Sequence, residues 1–488
     1  MESDELTPAE RRVRAAFATG TPVDLRESPG DDPSRDGPLW GPERTVRGEV
    51  LRALLLDAPP PGGGVPALDL AGARVTGRLD LQYATVEHPV RLRHCHFAEP
   101  LRCYAARLRE LNLSESALPG LVAHAVHVEG VLRLTRTRCT GVVRLGGTRV
   151  GGSLYLEGAQ VLAPDAEEPV LQLNQAVIGA DVWAPGLRTH GWVRLSGATV
   201  AGSVNLTDAR LTGTGEAAVD AEGLAVEGQV LLRSAEVHGW FGLRGARIAG
   251  RLDLSYCRLV NPGGPGLRAG SATLGELWLR KAPPMEGTLN LRRARIGMLL
   301  LEPGSVPAEV MVADLSYTSL APHEPAGRRL PLLARDRDGY IPQAYEELTA
   351  AYRRIGDEGA ARLVQLAKQR RHRSTLPWYG RLWGHVQDAT VGYGFRPLRA
   401  LGWLLSLLAV GSVAFAAHHP PPLKAGEGPP FNPVFFTLDL LLPVISFGQE
   451  GAFAPAGGYQ WLSYVLVLTG WILATAVVAG VTRAVSRP

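Results

Sequence analysis

Disulfide chemistry has little to work with in this chain. Four cysteines, Cys95, Cys103, Cys139 and Cys257, are scattered among 488 residues with no CxxC pair. That spacing suits small buried thiols in a reducing compartment and not a disulfide framework. The opening MESDELTPAE has no basic stretch followed by an apolar run, so no secretory leader is expected. Charge of one sign is also scarce, because 51 Lys and Arg against 47 Asp and Glu leave a net +4. So even a balance argues against a nucleic-acid groove, and nucleic acid is not an expected partner. No GxGxxG opens a helix after a strand, and no glycine-rich loop ends in Gly-Lys-Ser/Thr. No cofactor, metal or catalytic residue is therefore assigned. Arg91, His94, Cys95 and His96 put two imidazoles on one strand face, but further ligands at metal spacing are missing. His124 with His127, and His418 with His419, are weaker versions of the same pattern.

What the chain has in abundance is one phrase. LDLAGARVTGR, LDLQYATVEHP and VRLRHCHFAEP follow one another from Leu68, and VRLSGATVAGS, FGLRGARIAGR and LNLRRARIGM repeat the theme. A persistent eleven-residue period indicates a solenoid. Within the first two units Leu68, Leu70, Ala73 and Val75, then Leu79, Leu81, Ala84 and Val86, are the expected inward positions. Apolar residues two apart share a strand face, which favours short β-strands over a helical repeat. Two units make a coil of 22 residues, each unit a five plus a six. The small residue before the branched one (Ala73, Ala84, Cys95, Ser116, Ala159, Ala198, Ala246, Cys257, Ala294) fits a narrow interior corner. Glycine after it (Gly77, Gly151, Gly202, Gly250) is expected to adopt a positive φ at the turn. Breaks in the period at Leu162–Glu168, Gly213–Glu216, Asn261–Gly266 and Ala282–Glu286 read as surface loops.

These units resemble the pentapeptide-repeat proteins, and the resemblance implies a mainly β fold, a right-handed quadrilateral parallel β-helix, over about 67–320. The five-plus-six unit departs from the strict five-residue face of that family.

Residues 1–66 read as a helical cap. Thr7-Pro8-Ala9-Glu10 has the form of a capping box with proline at the first helical position, and Val46–Leu56 has helical spacing. Residues 321–339 read as a Pro- and Arg-rich linker. Residues 340–375 read as a helical hairpin, with Tyr345, Leu348, Tyr352 and Ile355 as its apolar stripe, Gly356 as a stop and Asp357 as a cap.

Two uncharged runs follow, 400–417 and 461–481, each long enough to cross ~30 Å of hydrocarbon at ~1.5 Å per residue. Residues 376–399 form a basic, aromatic juxtamembrane segment, and 482–488 a short tail. Arg and Lys flank the runs on their terminal sides, whereas the connection 418–460 holds Lys424 as its one basic residue. The bias predicts a two-pass protein of the inner (plasma) membrane with both termini cytoplasmic. Lys368, Arg370, Arg371 and Arg373 are a candidate cluster for anionic lipid. The external connection carries an apolar stretch, 435–447, too short to span. Leu442, Pro443, Val444, Ile445, Ser446, Phe447, Gly448, Gln449 and Glu450 stand where a two-span pore subunit carries its filter. The string TVGYG at 390–394 spells a potassium filter but precedes the first span, on the wrong side for one.

The whole layout is similar to a group of actinobacterial membrane proteins labelled membrane-associated oxidoreductases. The likeness rests on VRGEVLRALLL, LDLAGARVTGRLDL, YEELTAAYRRIGDEGAARLVQLAKQRR and the tail from LDLLLPVISFGQ to GWILATAVVAG. The label implies redox chemistry for which the residues give no motif. The residues themselves point to a membrane-tethered scaffold that binds a protein partner or itself, with an ion-conducting oligomer as the alternative.

Overall fold

Residues 6–57, 64–391, 397–424, 429–442 and 445–485 are described by the computed structural model. They fall into two units, Met1–Glu347 and Leu348–Pro488. The first is a parallel β-solenoid of about 11 turns. Around one turn the strands Leu111–Asn112, Ala117–Leu118, Leu121–Val122 and His127–Val128 succeed one another. Val182 then pairs with Val204, and Val230 with Leu252, each a step of two eleven-residue units. The repeating apolar pairs land inside as expected. Leu68, Leu70, Ala73, Val75, Leu79, Leu81 and Val86 are buried, and Ala84 is half-buried.

The small interior column is also a hydrogen-bonding column. The hydroxyls of Ser116, Thr137 and Thr148 donate to the carbonyls of Leu92 (2.9 Å), Leu113 (3.0 Å) and Ala123 (2.9 Å) in the neighbouring coil. A small side chain fits there, and a polar one is satisfied by the backbone stack. The four cysteines are buried, and that burial pushes each thiol up to about 12. Folded protein is therefore expected to resist iodoacetamide at pH 8 and to take up four labels only in denaturant. Labelling of any of the four before unfolding would contradict this packing.

The tight corners lie one residue before the small position. Glycine occupies several, including Gly147, Gly158 and Gly197, but Ala105, Glu115, Ala125 and Arg136 hold the same left-handed backbone. Of the four glycines expected to turn the chain, only Gly77 has a positive φ, at 68°. Gly151, Gly202 and Gly250 are required for close approach instead. A Cβ on Gly151 would lie 2.2 Å from the Glu129 carbonyl oxygen, and one on Gly250 2.6 Å from that of Gly228.

Two of the expected loops are bulges. Gly213–Glu216 lies inside the strand Arg210–Asp220, and Asn261–Gly266 inside Arg258–Arg268, with register shifts in the pairing at those points. Pairing with the neighbouring coil absorbs the extra residues without breaking the ladder.

The N-terminal cap is not purely helical. Helix α1 (Pro8–Phe17) has its capping box, but Val23–Asp24 pairs with Leu70–Ala71, and Thr45–Arg47 pairs with Arg74–Thr76. Val46 is thus a strand residue, and α2 (Gly48–Leu56) begins after it. An unpaired first coil would expose its backbone, and these two strands cover it. Residues 321–339 are likewise more than a connector. Helix α3 (Ala326–Ala334) buries Leu332 against the solenoid core. Beyond it, Asp336 accepts from the Val312 N–H at 2.9 Å, and Arg292 pairs with Asp338. The apolar residues of this segment close the far end of the coil.

Helix α4 (Pro342–Arg354) contains the boundary between the units. Gly356 (φ 78°) stops the chain, and Asp357 caps α5 (Glu358–Arg373) through the Ala360 N–H at 2.8 Å. Leu348 and Tyr352 are buried, whereas Ile355 is 57% exposed and leaves the expected stripe. Helices α6 (Trp378–Val391), α7 (Pro397–Ala417), α8 (Pro433–Leu441) and α9 (Gly458–Val485) follow. Thus 376–399 is largely helical, and TVGYG begins at the end of α6, its Gly392, Tyr393 and Gly394 lying outside the described residues. Within α7, Arg399–Ala417 is long and apolar enough to cross a membrane. The second expected span, 461–481, lies within α9, whose side chains are described as far as Thr475.

Candidate functional site

Between α7 and α9 the chain builds a short helix and a return loop. Asn432 starts α8, its Oδ1 accepting from the Val434 (3.0 Å) and Phe435 (3.3 Å) N–H groups, with Pro433 at the first helical position. The helix stops at Leu441, and Leu442 is extended, as the residue before a proline must be. Pro443 and Val444 themselves lie outside the described residues. Close packing holds α8 in place. A Cβ on Gly411 would lie 2.4 Å from Thr437 Cγ2, and one on Gly470 2.3 Å from the Leu441 carbonyl oxygen. Phe415, Phe436, Leu440, Leu441 and Leu466 form the core between the three helices.

The return loop is tied to one residue that sequence reasoning did not single out. Asp439 is buried, and its carboxylate accepts the backbone N–H groups of Phe447, Gln449 (2.7 Å) and Glu450 (3.2 Å). Its signal in the sequence is a lone acid in the apolar run FFTLDLLLP. Gln449 is buried too, accepting from Asn432 N–H (3.2 Å) and donating to the Pro430 carbonyl (3.2 Å). Ile445, Ser446, Phe447, Gly448 and Glu450 remain exposed, with Gly448 at φ 80°. Phe447, Gln449 and Glu450 of the nominated segment are therefore tied to α8 through Asp439. Asp439→Asn is expected to speed cleavage at Glu450 by a glutamate-specific protease about tenfold, the kinetic equivalent of ~1.4 kcal/mol. An unchanged cleavage rate would mean that the carboxylate does not hold the loop.

The basic cluster is partly occupied within the protein. Arg370 Nε and Nη2 donate to Asp388 at 2.9 and 2.8 Å, and Arg373 Nη1 reaches the same carboxylate at 3.4 Å. Burial alone would raise the Asp388 carboxyl, but the two guanidiniums outweigh it and hold it below its usual range. A lipid phosphate at Arg370 or Arg373 thus competes with a built-in acid one helix away, while Lys368 and Arg371 complete the last turns of α5.

The histidine patterns do not converge. His96 Nδ1 donates to the Pro33 carbonyl at 3.0 Å, and Cys95 is fully buried. His94 lies 3.5 Å from Glu115. The His418 ring stacks on Tyr459 at 4.6 Å, and that of His419 tilts against Phe431. Among the described residues no group of three or more His, Cys, Asp and Glu is placed to hold a metal ion. Compared with known proteins, the chain matches no family model, no curated protein and no solved structure.

Proposed function

We propose that this chain is a membrane-tethered scaffold, which displays a right-handed, four-sided, pentapeptide-like solenoid in the cytoplasm and anchors it through two spans at 400–417 and 461–481. The observation that carries the reading is the apolar exterior of the second unit. Leu405 and Val413 on α7 are 58% and 71% exposed, as are Trp461 and Leu468 on α9 at 72% and 64%. Side chains of this size facing water on two helices call for lipid around them. The solenoid then supplies a long, ordered, charge-mixed surface for a protein partner or for a second copy. Alkaline carbonate extraction of membranes tests the anchor, and reporter fusions at each terminus test the topology. Release of the chain into the supernatant, or opposite sidedness of the two termini, overturns the reading.

A second reading is favoured by the loop tied to Asp439. A capped short helix followed by a fixed return loop, packed between two long helices, is the plan of a pore subunit. Planar-bilayer recording separates the two. Reproducible currents that change selectivity on substitution of Ser446 or Glu450 support a pore and sink the pure scaffold.

A further inference from the structure

The N-terminal loop around Pro33 does not lie flat on the solenoid. It arches over a cleft of about 310 Å³, within the usual range for small-ligand sites. Asp31 and Asp32 line it from the loop, and His94, Glu115, Arg136 and Arg138 from three successive coils. The loop is propped by side chains of the solenoid and of the cap. Arg138 Nη1 donates to Asp32 (3.0 Å) and Ser34 Oγ (2.5 Å), His96 holds the Pro33 carbonyl, and Arg44 holds Asp31 at 2.7 Å. Within the loop, Asp32 Oδ1 accepts from the Ser34 N–H (2.9 Å), and Asp36 accepts from the Asp32 N–H (3.0 Å).

The floor is a column of corner residues. His94, Glu115 and Arg136 occupy the same left-handed corner in consecutive turns, at φ 50°, 58° and 52°, and the next two corners are Gly158 and Gly186. Other corners along the solenoid also carry non-glycine residues, so strain alone selects nothing. What sets this stretch apart is three titratable side chains in a row beneath a propped loop. Glu115 lies 3.5 Å from His94 Nδ1 and 3.7 Å from Arg136 Nη1, contacts too long for hydrogen bonds. Its carboxylate and the Arg136 guanidinium thus keep hydrogen-bonding capacity at the cleft. Burial lowers the His94 pKa, so the imidazole is neutral at pH 7.

The charges balance. In the lining, Asp32 pairs with Arg138 and Glu115 lies beside Arg136, while Asp31 is matched from beneath by the buried Arg44. A simple anion is drawn to Arg136 and repelled by Glu115 beside it, and a simple cation the reverse, whereas a ligand carrying both charges gains from each. We propose that this cleft binds a small zwitterion of the amino-acid type, its ammonium toward Glu115 and its carboxylate toward Arg136. The site lies wholly in the solenoid unit and is independent of how the chain meets the membrane.

Calorimetric titration of the full-length protein in detergent with the free L-amino acids tests it, with butylamine and butyrate as single-charge controls. At least one amino acid is expected to bind about tenfold more tightly than either control. Glu115→Gly and Arg136→Gly are each expected to weaken that binding about tenfold or more, with melting temperature unchanged or raised, because glycine accepts the left-handed corner without strain. These variants separate lost recognition from lost folding. No heat from any amino acid at about 10 mM, equal binding of a control, or undiminished binding by both variants overturns the proposal.

Discussion

Gly275→Ala is expected to destabilise the solenoid by more than ~3 kcal/mol, while Gly245→Ala costs only ~1 kcal/mol. Both are glycines of the β-coil, and both read alike in the sequence. Gly245 sits at a corner with φ 65°, and no atom lies within 4 Å of where its Cβ would be. Ala105 and Ala125 already adopt that backbone at φ 53° and 54°, so an alanine there is strained but housed. Gly275 has no unusual φ, yet its Cβ would stand 2.2 Å from the Ala249 carbonyl oxygen and 2.6 Å from that of Gly250. Neither oxygen can swing aside, because both belong to the backbone of the coil beneath.

The clash also propagates. Gly228, Gly250, Gly275 and Gly297 stack along one edge, and a Cβ added at any of them would lie 2.7 Å or less from a carbonyl oxygen of the preceding coil. Parallel strands are spaced ~4.8 Å apart, and here the backbones approach with nothing between them. Relieving one clash by widening that spacing would break the ladder on either side, including the Gly250 N–H to Gly228 carbonyl bond of 2.9 Å. Urea titrations of the two variants followed by circular dichroism give the comparison. Equal costs at the two positions would show that φ, not approach, is what the column needs.

The register of the coil was legible because burial in a parallel ladder repeats the same choice every eleven residues. Leu68, Leu70, Ala73 and Val75 announce the interior, and the coils above copy it. The ends were less legible, since a cap forms its pairs once. Nothing local marks Val23 as the partner of Leu70 or Val46 as that of Val75, and Val46 also fits a helical stripe. The connector at 321–339 hid its role in the same way, because Leu332 meets the core through a helix of only nine residues. The glycine column misled for a different reason. Sequence shows that a side chain is missing, not whether torsion or an opposing carbonyl forbids it. At the candidate sites the long-range acids were the blind spot. Asp388 reaches back to Arg370 over eighteen positions, and Asp32 is met by Arg138 from more than a hundred residues away. Periodicity carries no information about such pairs.

Acidification is expected to release the N-terminal cap before the coils unfold, and Glu10 is the residue that sets this. Its side chain is fully buried, yet it accepts four hydrogen bonds: from Thr7 N–H (2.9 Å), and from Arg47 N–H (2.9 Å), Nε (2.8 Å) and Nη2 (2.8 Å). Burial alone would raise the Glu10 carboxyl, but Arg47 and Thr7 outweigh it, and the folded value lies below the ordinary 4.5. A depressed folded pKa means that the unfolded cap binds the proton more readily. The stabilisation is therefore complete above pH ~4.5 and is lost as the pH falls through the folded value. Asp24 and Asp36, each held to about 2 by its neighbouring arginine, extend the same trend downward. Asp24 is exposed, and Asp36 is half-buried beside an exposed Arg35, so both contribute less. Glu10→Ala leaves Arg47 without its carboxylate and removes the capping box, an expected cost of ~3 kcal/mol at pH 7. An uncapped first coil exposes Leu70 and Val75 on unpaired strands, so this variant is also expected to self-associate. Hydrogen exchange read at α1 between pH 6 and 3 distinguishes the causes. Protection should fall with pH in the native chain and be low and flat in Glu10→Gln, which keeps an acceptor but has no charge to lose. A native profile that stays flat over that range would mean that the apolar contacts of Val13 and Phe17 alone hold the cap in place.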